Sequence, residues 1–109
     1  MNAPVSNNLP WSEQFRIVAK SWVDADAAAA LLEDTKSAVL AERMQMHADL
    51  PVNRAEQLVK SSPEWREHIE RMVAARKFAN LLKVKMEYLR MKFSEWQSHE
   101  ATARAERRL

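Results

Sequence analysis

The chain has 109 residues, 47% of them hydrophobic and 29% charged, with a formal net charge of +2. It contains neither Gly nor Cys, which excludes glycine loops that cradle phosphates, disulfide frameworks, and thiolate nucleophiles or metal sites. Ala, Glu, Lys, Arg, Leu and Met outweigh the β-branched and aromatic residues, so the composition predicts an all-α fold.

Residues 1–10 read as a flexible lead, polar and containing Pro4 and Pro10. They lack the basic region and apolar run of a secretory signal. No apolar run in the chain approaches the roughly 20 residues needed to cross a bilayer. A cytoplasmic protein with no membrane contact is therefore expected.

Ser12 is placed to cap a first helix over 12–49, which meets no Pro before Pro51. Its apolar seam reads Phe15, Val18, Trp22, Ala25, Ala29, Leu32, Val39 and Met46, spaced mostly by three and four residues. Pro51 then breaks the helix, and Asn53 with Glu56 resembles a capping box for a short helix over 54–60. A second long helix is predicted over 63–107. Ser62 suits its N-cap, Pro63 its first position, and Glu64 the positive end of its dipole. Its seam is Trp65, His68, Met72, Ala75, Ala79, Leu82, Met86, Leu89, Phe93 and Trp96.

A helix of that length cannot bury its apolar face against itself. The expected solution is one helical domain: an antiparallel, coiled-coil-like hairpin of the two long helices, with the short helix at the turn. Setting Met46 near Trp65 opposes Phe15 to Trp96, Trp22 to Leu89, Ala29 to Leu82, Leu32 to Ala79 and Val39 to Met72. A second stripe on the long helix, Leu81, Val84, Tyr88 and Met91, shares another face. One hairpin cannot cover both stripes, so either the lead or short helix folds over the second, or a partner does. A homo-oligomer is the expectation.

No arrangement in the sequence suggests catalysis. His47, His68 and His99 have no metal-binding spacing and no Cys to support them. Asp24 and Asp26 point different ways on a helix, and Glu64, Glu67 and Glu70 suit a helix start. The reading is a non-enzyme with no metal, cofactor or small-molecule substrate.

Charge is uneven along the chain. Up to Ser61 there are six Lys and Arg against eight Asp and Glu; from Ser62 onward there are eleven against seven. Arg76, Lys83 and Arg90 recur every seven residues, as do Lys85 and Lys92, with Lys77 beside them. Three uses remain open for these rows: pairing with Glu33, Asp34 and Glu42, contacting phosphates, or meeting an acidic protein surface. Tyr88, between Lys85 and Lys92, is placed to stack on an exposed base. Arg104, Arg107 and Arg108 add cations at the tail. Trp22, Trp65 and Trp96 fit the seam, whereas Trp11 precedes the helix and is a candidate staple or interface anchor.

The tail FSEWQSHEATARAERRL, with Trp96, Ser98, Ala101, Thr102, Arg104, Ala105, Glu106 and Arg108, resembles a C-terminal signature of small phage-encoded helical proteins. The stretch from Ser62 to Asn80 is similar as well. Genes of that kind lie near single-strand annealing recombination genes. The resemblance implies a non-enzymatic accessory protein of phage DNA recombination or replication in the bacterial host cytoplasm. Its partner would be DNA, met through the basic residues, or a recombination protein. The alternative is an adaptor or inhibitor that docks on a phage or host protein through Leu81, Val84, Tyr88 and Met91, with no nucleic-acid contact.

Overall fold

A computed structural model describes residues 8–108. Among them the chain is all-helical, with no strand. The elements are α1 (Trp11–Asp34), α2 (Lys36–Met44), a 3-10 turn (Gln45–His47), α3 (Val52–Lys60) and α4 (Pro63–Arg108). No described residue has a positive φ, so a chain without Gly makes all its described turns in right-handed or extended backbone. The expected lead over 1–10 lies largely outside the described residues.

The helix boundaries follow local chemistry. α1 starts on the Pro10 carbonyl, which accepts the Glu13 and Gln14 amides at 3.0 Å each. The Gln14 side chain donates to the Leu9 carbonyl at 2.8 Å. Ser12 is therefore inside the helix and not its cap. α4 opens as its sequence suggests: the Ser62 hydroxyl accepts the Trp65 amide at 3.2 Å, and Pro63 is the first helical residue. The Asn53–Glu56 capping box does not form. Pro51, with its extended ψ of 148°, sets the start of α3, which places Asn53 within the helix.

The helix expected over 12–49 is interrupted at Thr35. The Thr35 hydroxyl donates to the Leu31 carbonyl at 2.6 Å, beside the Thr35 amide bond to the same oxygen at 3.1 Å. The Thr35 backbone leaves helical geometry, at φ −94° and ψ 0°, and α2 begins afresh at Lys36. The α-helix then ends at Met44, so the seam does not extend to Met46, which is 79% exposed.

The described residues fall into two compact units. One takes the residues up to Asp24 and from Asn80 onward; the other takes Ala25–Ala79. In the second, α2 packs on α3, and Ala25, Ala29, Ala55, Val59, Trp65, His68 and Ala79 are buried. Ala29 and Ala79 have no exposed surface at all. The Trp65 and His68 rings lie 5.5 Å apart. In the first unit Gln14, Val18, Leu82, Met86 and Leu89 are buried. Phe93 and Trp96, assigned to the seam by their spacing, are instead substantially exposed.

The register also differs from expectation. In the first unit the Arg90 guanidinium lies over the Phe15 ring, 5.8 Å from its centroid, where the expected register opposed Phe15 to Trp96. In the second, Arg76 bonds Asp26 and Glu33, where that register put Thr35 across from Arg76. The ring contact lies six residues from the expected one, while Glu33 and Asp26 lie two and nine residues before Thr35, so the shift is not uniform. The pair that had anchored the expected register, Met46 with Trp65, is lost because the α-helix ends at Met44 and Met46 is exposed.

Candidate interaction surface

The cations of α4 divide by environment. In the Ala25–Ala79 unit, Arg76 is held by two carboxylates: its Nη1 donates to Asp26 Oδ1 at 2.6 Å, while Nη2 and Nε donate to Glu33 at 2.8 and 2.9 Å. The bidentate geometry to Glu33 is the strong form of this contact. Hydrogen bonding to Arg76 holds the Glu33 carboxyl below the usual carboxylate range, against a smaller opposing effect of desolvation. The same bonds, Glu33 first and Asp26 second, push the Arg76 guanidinium well above its ordinary value. Arg76, expected among the nucleic-acid contacts, thus has its charge matched within its own unit. Lys77 beside it is exposed and joins no ion pair among the described residues.

In the other unit Lys83, Lys85, Arg90 and Lys92 are exposed and have no carboxylate partner among the described residues. Arg90 sits over Phe15, and the Lys92 ammonium lies 5.9 Å from the Tyr88 ring centroid. These cation–π contacts leave the positive charge unneutralised. Arg104, Arg107 and Arg108 are exposed at the end of α4, where Arg107 Nε donates to the Ala103 carbonyl at 3.3 Å and cations suit the negative end of the dipole.

The apolar stripe lies among these cations. Leu81, Val84, Tyr88 and Met91 are 58, 60, 54 and 59% exposed. Four neighbouring side chains left this open along one helix face form a contiguous apolar patch of the kind that marks interaction sites.

Trp11, the expected anchor, lines a cavity of about 680 Å³ in the same unit, with Phe15, Phe93, Trp96, Leu89 and Arg90 among its walls. Phe93 and Trp96 stack there with centroids 6.0 Å apart and planes 22° from parallel. A second cavity of about 700 Å³ shares Trp11, Leu89 and Trp96 and adds Tyr88 and Lys92. The spacing rule assigned Phe15, Phe93 and Trp96 to a closed seam, so these cavities were not foreseen. The available signal was size: large rings at this end of both helices have no small residues to receive them.

Asp26 was also missed as an Arg76 partner. Its relation to Glu33, seven residues later on α1, was the clue. The histidines do not converge on a site: no group of three potential metal ligands occurs among the described residues. His68 is buried and its Nε2 has no hydrogen-bond partner among the described residues. No helix of the described residues is long and apolar enough to cross a membrane. Neither a protein-family model, nor a curated protein, nor a solved structure matches the chain.

Proposed function

We propose that this is a non-enzymatic accessory protein of phage DNA recombination or replication, acting in the bacterial cytoplasm by self-association and by contact with DNA or a DNA-bound recombination protein. In this reading α1 and α4 form an antiparallel hairpin, and copies of it pair through the stripe Leu81, Val84, Tyr88 and Met91. The carrying observation is the exposed face of α4, where Lys83, Lys85, Arg90 and Lys92 stand without carboxylate partners beside that stripe. Phosphate contacts by such cations give sequence-independent binding that weakens steeply with salt. A gel-shift series from about 50 to about 200 mM salt tests it. Binding at low salt that fades across the series is expected; no shift of single- or double-stranded DNA at the lowest salt eliminates direct contact.

The exposure of the stripe itself favours a second reading, an adaptor or inhibitor that seats Leu81 and Tyr88 in a groove of a phage or host protein. Replacing both by Glu then abolishes the complex while helix content is kept. A complex that survives the double change moves the interface elsewhere.

A further inference from the structure

The chain has four Trp, three Phe and one Tyr. Five of these eight rings, Trp11, Phe15, Tyr88, Phe93 and Trp96, line the two neighbouring cavities of one unit. Such a concentration goes beyond what a small core needs, because the rings are not packed away: Phe93 is 37% and Trp96 47% exposed. Among the described residues the only charged groups in the walls are cations, Arg90 in one cavity and Lys92 in the other. No carboxylate of the described residues lines either space, so the occupant that fits is anionic and presents flat faces.

An apolar peptide satisfies the rings and leaves two cations desolvated without partners, a costly arrangement. An acidic peptide satisfies the cations but offers flat faces only where it also carries an aromatic side chain for each ring, whereas a base accompanies every phosphate of a nucleic acid. Duplex DNA has the phosphates, but its bases are stacked on one another. A single strand has both groups in alternation, and stacking platforms beside basic residues are how sequence-tolerant single-strand binders work.

We propose that the two cavities take neighbouring bases of single-stranded DNA on either side of Trp11 and Trp96, with phosphates held by Arg90 and Lys92. This rests on the reading that the protein contacts DNA, and it specifies the form of DNA and the side chains that hold it.

The test is fluorescence anisotropy of a labelled oligothymidylate and of a duplex of equal length, titrated with the full chain at about 50 mM salt. Trp96→Leu is expected to weaken oligothymidylate binding roughly 5- to 150-fold, the range for losing one stacked base, and to leave duplex binding unchanged. Trp96→Phe, which keeps a ring, is expected to restore most of the affinity. Lys83→Gln with Lys85→Gln is expected to weaken both ligands alike. Unchanged single-strand binding in Trp96→Leu overturns the cavity proposal and leaves the phosphate-contact reading standing. Equal loss in Trp96→Leu and Trp96→Phe also overturns it, since the ring then has no role of its own. Polyglutamate bound as tightly as the oligonucleotide, and lost with Trp96, overturns it in favour of an acidic protein partner. No binding of either DNA overturns both the proposal and the reading beneath it.

Discussion

Two arginines on α4 meet opposite surroundings. Arg76, in the unit formed by Ala25–Ala79, is clamped by Asp26 and Glu33. Arg90, in the other unit, lies over Phe15 and joins no ion pair among the described residues. The Ala25–Ala79 unit buries Ala29, Ala79 and Trp65 but exposes Val73 and Phe78 on its part of α4, while the other unit buries Leu82, Met86 and Leu89 and exposes the stripe Leu81, Val84, Tyr88 and Met91 together with Trp96. A single helix therefore supplies one arginine whose charge is matched by carboxylates of its own unit and another whose charge stays available near an open apolar stripe.

The sharpest way to break this comparison is to remove the same side chain from both regions. Trp65 is 6% exposed, and Trp65→Ala is expected to cost about 3–5 kcal/mol in chemical denaturation, as for other buried aromatic truncations. Trp96→Ala, at a half-open position, is expected to cost about 1 kcal/mol or less. Equal costs would mean that Trp96 is as structural as Trp65, and the division would fail.

A smaller effect sharpens the electrostatic side. The Glu33 carboxyl is held below its ordinary value of 4.5 by Arg76. A carboxylate depressed in the folded state adds stability above its unfolded pKa and loses it as the pH falls through its folded pKa. Thermal melts are therefore expected to decline as the pH drops below about 4.5, and Glu33→Gln to flatten part of that decline. Part of the slope remains in the variant, because Glu13 is depressed in the same direction by its hydrogen bond to Arg16. The pair is solvent-exposed, so the change is modest and screened by salt. A pH profile identical in the variant would show that the clamp contributes nothing.

Much of the helical plan was readable because it depends on local chemistry. The absence of Gly, the Ser62 cap and Pro63 each act within a few residues, and they place the start of α4. The break at Thr35 was not readable. A threonine within a helical pattern is compatible with continuation, as Thr102 with its bond back to Ser98 inside α4 illustrates, and only the Thr35 backbone, at φ −94° and ψ 0°, shows the interruption. The register was illegible for a different reason: a heptad pattern carries no absolute origin, and the residues that fix it here are Arg76 with its two carboxylates and Arg90 with Phe15. The candidate surface was legible as two periodic sets, the stripe and the basic rows. Which cations remain unmatched was not, since it depends on Asp26 and Glu33 lying across from Arg76. The aromatic cavities depend on that same register, because rings at heptad positions look like core until their opposite neighbours are known.

The central claim is that the outward face of α4 from Leu81 to Met91 is left open for another copy of the chain. Light scattering during gel filtration, on the wild type and on Leu81→Glu with Val84→Glu, tests it most directly. The account predicts a wild-type mass that is a multiple of 12.6 kDa and a helical monomer for the double variant. A wild type that runs as a monomer at about 100 μM, where a pair with a dissociation constant of about 1 μM would be associated, would contradict it.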